Sequence, residues 1–204
     1  MNRYHPLNFK KAPTVTLKKV GGNRDYTQVA SYRPVALLET LEKALERIVA
    51  DRLTALAEEH CLLPKFQMEG RPKRDTITAL DLLTEQVHTI WNSGSQWEAS
   101  MLCLDIAGAY DFASHPRLLH ILRRLGILDW IVGWVESFLW DRYSTLRIGS
   151  KESELLPVQN GIPQGSPISP ILYLLFNEEL VRICNGIGLW SSSLGFVDDI
   201  NILT

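Results

Sequence analysis

Met101-Leu-Cys-Leu-Asp-Ile-Ala-Gly-Ala-Tyr-Asp111 runs from apolar residues into a carboxylate and then into small residues. Residues 101–106 read as a short buried strand with Asp105 near its end. A second carboxylate feature lies near the C-terminus, where Leu194-Gly-Phe-Val197 and Ile200-Asn-Ile-Leu203 flank Asp198-Asp199. Two strands of a tight hairpin flank their turn in this way. Aspartate is a poor strand former, and an unpaired buried carboxylate is costly or changes its pKa. Three aspartates at strand ends therefore require a compensating cation. Hard carboxylate oxygens suit Mg²⁺, with Mn²⁺ as a substitute, and a pair of such ions can drive an in-line displacement. A lone Asp-Asp pair is more often a plain acidic turn, so the decision rests on its neighbours.

Between these features, His115-Pro116 opens a helix that Gly126 ends, and residues 129–140 make another. Residues 143–148 and 154–158 read as a hairpin, and residues 167–184 as an apolar helix. Upstream, residues 1–38 look extended and loop-rich, with a short strand over 14–17 and a basic turn over 18–23. Residues 39–60 turn helical, with Leu41, Leu45, Ile48, Val49, Leu53 and Leu56 along one face. Leu62-Leu-Pro64 breaks that helix before a basic loop over 65–74. Asp75 is placed to cap the next helix, with the stripe Ile77, Leu80, Leu83, Val87 and Ile90. The order of elements predicts an α+β fold, an antiparallel sheet packed against helices.

The 204 residues are 46% hydrophobic and 22% charged, enough for one sizeable core. Cys61, Cys103 and Cys184 are far apart with no C-x-x-C pair, which argues against disulfides and zinc and for a reducing, intracellular setting. The longest apolar run, Pro170-Ile-Leu-Tyr-Leu-Leu-Phe176, is too short to span a bilayer, so no membrane partner is expected. Net charge is −2, but residues 1–75 hold 14 Lys/Arg against 9 Asp/Glu, and residues 76–204 hold 7 against 14. A basic front half before an acidic rear half fits a phosphate-gripping region ahead of a carboxylate metal site.

Leu104-Asp-Ile-Ala-Gly-Ala-Tyr-Asp111, Gly161-Ile-Pro-Gln-Gly-Ser-Pro167 and Phe196-Val-Asp-Asp199 occur in that order. The set resembles the signature motifs of reverse transcriptases. Ser31-Tyr-Arg-Pro-Val-Ala-Leu-Leu38, Leu62-Leu-Pro64 with Gln67, and Ile168-Ser-Pro-Ile-Leu-Tyr173 resemble the non-LTR (LINE-like) retrotransposon branch, most like elements of filamentous fungi. The resemblance runs from about Lys11 to Thr204. It implies right-hand polymerase fingers over about residues 1–100 and a ferredoxin-like palm over about 101–204. By it, Asp105, Asp198 and Asp199 are catalytic metal ligands, with Ile106 beside them at the metal. Tyr110 matches the aromatic that blocks a ribose 2′-hydroxyl, which disfavours an RNA-dependent RNA polymerase. Ala109 would lie near the triphosphate. Gln164 and Gly165 match the loop over the incoming nucleotide, and Arg71 and Arg74 the basic residues contacting triphosphate or template. The partners implied are an RNA template, a DNA primer and dNTPs.

Some positions depart from the family pattern. Glu42 stands where Gly is common, Glu69 and Lys73 replace small residues, and Asp75 replaces Ser. The negative charge of Glu69 and Asp75 should weaken nearby phosphate contacts. The resemblance also implies that the end of the palm, the thumb and the endonuclease lie outside these 204 residues, leaving them inactive alone. A nuclear site of action is implied for the full-length element protein. The competing readings are a group II intron or retron-like enzyme, and a non-catalytic retrotransposon relic that binds nucleic acid weakly.

Overall fold

The computed structural model describes residues 3–68, 70–94, 98–185, 192–196 and 199–203. They form two compact units that interleave along the chain: residues 1–53 with 110–169, and residues 54–109 with 170–204.

In the first unit, β1 (Thr14–Lys18) pairs antiparallel with β2 (Tyr32–Ala36). Residues 1–38 therefore hold a hairpin where only the 14–17 strand was expected. The segment Tyr143 to Val158 also differs from the single hairpin expected. It divides into β4 (Arg142–Ser144), β5 (Leu146–Ile148), β6 (Lys151–Glu152) and β7 (Leu156–Val158). β4 pairs with β7, while β5 pairs with β6 and runs parallel to β1, giving the sheet order β2-β1-β5-β6. Thr145, between β4 and β5, lets the chain pass from one sheet to the other. The reason is non-local: β1, more than 100 residues upstream, supplies the open edge that β5 takes.

The helical core of this unit is α3 (His115–Arg124) against α4 (Asp129–Leu139). Pro116 occupies the first turn of α3, and Gly126 takes the left-handed conformation after it, as expected. Leu118, Leu122, Ile131, Val135, Phe138 and Leu139 are buried, following the three- and four-residue spacing of two facing helices. Trp134 stacks on Phe138 in this core, whereas Trp140 caps the helix end half exposed.

A long helix, α1 (Thr40–Glu59), passes from the first unit into the second, ending one residue inside each predicted limit. In the second unit, Asp75 caps α2 (Thr76–Asn92) as predicted, its carboxylate accepting from Thr78 N at 2.7 Å. The expected apolar stripe is corrected at its start, while Leu83, Val87 and Ile90 are half-buried. Ile77 and Leu80 are 69% and 57% exposed, and Ala79 with Leu82 instead packs around Met68, Leu194 and Phe196. Apolar residues cover more than one face of α2, and the partner decides which is used.

The sheet of this unit has the order β3-β9-β8, all antiparallel: β3 (Met101–Asp105), β8 (Ser192–Phe196) and β9 (Asp199–Leu203). β3 is exposed at all five positions, correcting the expectation of a buried strand. It is an edge strand, and apolar composition alone does not separate an edge from a centre. Helix α5 (Ser169–Asn185) covers one face, with Val181 and Cys184 packed on Ile200 and Ile202. The segment after the Leu-Leu-Pro break joins β8, because Met68 N donates to Gly195 O at 2.8 Å and Gly195 N to Phe66 O at 3.0 Å. Among the described residues no helix is long and apolar enough to cross a membrane.

Candidate active site

The β3–β9 register sets Asp105 directly opposite Asp199 and Leu104 opposite Ile200. Directly paired residues of an antiparallel ladder point to the same side, and alternation sends their neighbours to the other. Ile200 and Ile202 therefore enter the core beneath α5, while Asp105, Asp199 and Asn201 share the opposite face. Both carboxylates are exposed, which corrects the expectation that they are buried: they share the face opposite to the one that α5 covers. Asp198 lies outside the described residues. A cavity of about 360 Å³ opens on this face, lined by Ala79, Leu83, Leu194, Phe196, Asp199 and Asn201. Two carboxylates on one face form an all-oxygen donor set, which fits a hard divalent cation. Ile106, next to Asp105, packs its side chain on the α5 core, and Ala109 is buried.

Tyr110, Gln164 and Gly165 belong to the first unit, where the loop carrying Gln164 and Gly165 is pinned to the Tyr110 segment and to β2. Ile162 N donates to Tyr110 O at 2.8 Å and Gly161 N to Ala113 O at 3.0 Å. Gly161 is left-handed at φ +85°, and a Cβ there would meet Asp111 O at 2.7 Å. Only glycine fits so close a backbone crossing. Gly165, at φ +105°, passes Ala36 O with room for a Cβ only at 3.0 Å. Ala36 N donates to Gln164 O at 2.8 Å, and the Gln164 side chain donates through Nε2 to Asp111 Oδ1 at 2.9 Å. Asp111 and Gln164 also line a cavity of about 120 Å³ with Ala36, Arg142 and Pro163. His115 Nε2 lies 2.7 Å from Gly161 O and Ser166 Oγ donates to Glu46 Oε2 at 2.5 Å, contacts that span 46 and 120 residues and so fall within no single motif.

The basic loop is tied into the second unit. Arg71 is buried and forms a bidentate pair with Glu58, at 2.6 and 2.7 Å, and donates to Pro64 O at 2.7 Å. Hydrogen bonds from Arg71 hold the Glu58 carboxyl below its ordinary range. Arg74 donates to Lys65 O and lies 3.8 Å from Met68 Sδ. Burial, then the charge of Arg71, lowers its pKa. Asp75, read as a departure that weakens phosphate contacts, is the cap of α2, and its bonds from Thr78 hold its carboxyl low. Glu42, another departure, is buried and paired with Arg142 Nη2 at 3.2 Å.

Residues 17–204 match the family described as Reverse transcriptase (RNA-dependent DNA polymerase). The chain belongs to this family. It is 32% identical over 182 residues to the RNA-directed DNA polymerase from mobile element jockey of Drosophila melanogaster, covering 87% of this chain and 19% of that protein. It is 29% identical over 204 residues to the probable RNA-directed DNA polymerase from transposon X-element of the same species, covering 97% and 21%. A third relative, a Pol polyprotein from the type-1 retrotransposable element R2 of Popillia japonica, is 32% identical over 112 residues, 51% of this chain and 18% of its own length. This chain thus spans about one fifth of the length of the curated relatives it matches. Among solved structures, apo telomerase from Candida tropicalis superposes with a TM-score of 0.67 at 13% identity, over 96% of this chain and 39% of that one. That likeness shows the fold. The expected α+β reverse transcriptase fold and the non-LTR retrotransposon type are met.

Proposed function

We propose that this reverse transcriptase domain performs RNA-templated DNA synthesis, adding dNTPs to the 3′ end of a DNA primer. The observation that carries the reading is the cross-strand pairing of Asp105 with Asp199 on one exposed face. Asp105, Asp198 and Asp199 would hold Mg²⁺, which when bound would activate the attacking hydroxyl and neutralise charge on the phosphates. Ile106 and Ala109 would let backbone approach that site closely. Tyr110 would exclude a 2′-hydroxyl, and Gln164 with Gly165 would bear on the incoming nucleotide. Arg74, with Arg71 behind it, would face phosphate. The residue matches over 31–38 and 168–173 support a source among elements of filamentous fungi, and a retrotransposon polymerase copying its own RNA would act in the nucleus. The assignment of residues 1–100 to fingers and 101–204 to palm rests on the same resemblance.

Primer extension on an RNA template tests this, using the longest form the gene encodes. Synthesis that needs Mg²⁺ or Mn²⁺ and is abolished by Asp105→Asn is expected. Equal extension by the variant, or none by the wild type under any divalent ion, would sink the reading. The relic reading would then replace it. A Tyr110→Gly variant should also accept ribonucleotides more readily than the wild type.

A further inference from the structure

Five polar side chains distant in sequence meet in the interior of the first unit. His5, Glu42 and Glu46 bring one ligand atom each to within 4.8 Å of one another, all buried. Arg142 Nη2 donates to Glu42 Oε1 at 3.2 Å, and Ser166 Oγ donates to Glu46 Oε2 at 2.5 Å. The other oxygen, Glu46 Oε1, faces His5 Nε2 at 3.8 Å, and neither atom has a hydrogen-bond partner. The His5 ring lies among Phe9, Trp134 and Phe138, so no polar group relieves it from that side. Lys10, also buried, acts on His5 from the margin of the cluster, and Asp141 acts on Lys10.

The arrangement resembles a His-Glu-Glu metal site, but the charges argue otherwise. Two carboxylates against one guanidinium leave a single negative charge, which one proton on the cluster neutralises. A divalent cation would overshoot it, and Arg142 already stands against Glu42. What the cluster does hold is Ser166, the residue after Gly165 and two beyond Gln164. Ser166 Oγ also accepts from Ile168 N at 3.3 Å, at the turn into α5. The carboxylate of Glu46 thus anchors the loop at its C-terminal side, while the Tyr110 and Ala113 carbonyls anchor its start.

We propose that Glu46 is a positioning residue that sets the placement of Gln164 and Gly165 through Ser166, from within the buried cluster of His5, Glu42 and Arg142. The consequence for nucleotide binding rests on the function proposed above. Glutamine at position 46 would keep an acceptor for Ser166 and turn an N–H toward His5 Nε2, so Glu46→Gln preserves the link that Glu46→Ala removes.

The test is amide hydrogen exchange over residues 161–169 in the longest form the gene encodes, for Glu46→Ala, Ser166→Ala, their double variant and Glu46→Gln. Exchange in α3 and α4, the helical core of the same unit, serves as the control that each variant folds. Exchange of the loop about tenfold faster in both alanine variants, no faster in the double variant, and near wild type in Glu46→Gln is expected. In primer extension, the KM for dNTP should rise by about tenfold in Ser166→Ala with kcat changed by less than about twofold. Unchanged loop exchange in Ser166→Ala overturns the proposal. So does a Glu46→Gln variant as fast as Glu46→Ala, together with a Zn²⁺-induced rise in melting midpoint that Asp199→Asn keeps and Glu46→Ala loses, since the cluster would then be a cation site. A wild type that extends no primer would count against the proposed function, while loop exchange would still decide whether Glu46 places the loop.

Discussion

Asp105 and Asp199 are cross-strand partners on an exposed face of the β3–β9 ladder. Like charges in direct opposition repel, so without a cation this pair costs stability. Asp199→Asn should raise the stability of the metal-free chain by about 0.2–1 kcal/mol. The same change should weaken Mg²⁺ binding. Thermal melting with and without Mg²⁺ checks both: the wild-type midpoint rises with the ion and that of the variant hardly moves. A metal-free variant less stable than the wild type would contradict the repulsion argument.

Arg71 is the buried end of a bidentate pair with Glu58, whose side chain is 34% exposed. Removing the carboxylate strands a buried guanidinium that keeps only carbonyl partners. Glu58→Ala should cost about 2–3 kcal/mol, less than a fully buried pair because water reaches Glu58. Urea unfolding measures it. The Glu58 carboxyl is held low by Arg71, so its contribution is present above its unfolded pKa of 4.5 and is lost as pH falls below that value. Glu58→Gln should therefore flatten the acid limb of the stability curve.

Burial pushes the Glu42 carboxyl up to about 7, against the pull of Arg142. A carboxyl whose folded pKa is raised binds its proton more tightly in the folded chain. Its contribution is greatest below the unfolded value of 4.5 and is lost as pH rises towards about 7. The melting midpoint should fall between pH 5 and pH 8, and Glu42→Gln should reduce that fall. His5 works in the opposite sense: burial lowers its pKa, so its contribution is lost as pH falls below 6.5.

Gly161→Ala places a methyl group 2.7 Å from Asp111 O at a φ of +85°. The backbone conformation alone should cost about 1–2 kcal/mol, and the clash adds to it. Because the clash displaces the start of the Gln164 loop, the KM for dNTP should rise as well. Gly126→Ala, whose Cβ would meet nothing within 4 Å, controls for the conformational part.

The helices were legible because their signals are local. Asp75 caps α2, Pro116 opens α3, and Gly126 follows it, and each acts within one turn of its own backbone. The strands were legible as apolar runs but not by position in a sheet. The sequence contains nothing next to β3 that marks it as an edge, and nothing near Leu146 that sends β5 to β1. The start of the α2 stripe differs for the same reason, since Leu194 and Phe196, more than 100 residues downstream, help choose the face that Ala79 and Leu82 use.

The sequence by itself determined the family, the order of the elements and the three aspartates, because short motifs carry the chemistry of their own backbone. Only the tertiary structure decided what each charge is set against. Asp105 meets Asp199 across 94 residues, Arg142 meets Glu42 across 100, and Ser166 meets Glu46 across 120. Charges and hydrogen bonds act through distances of a few ångströms, and sequence separation says little about those distances until the chain has folded.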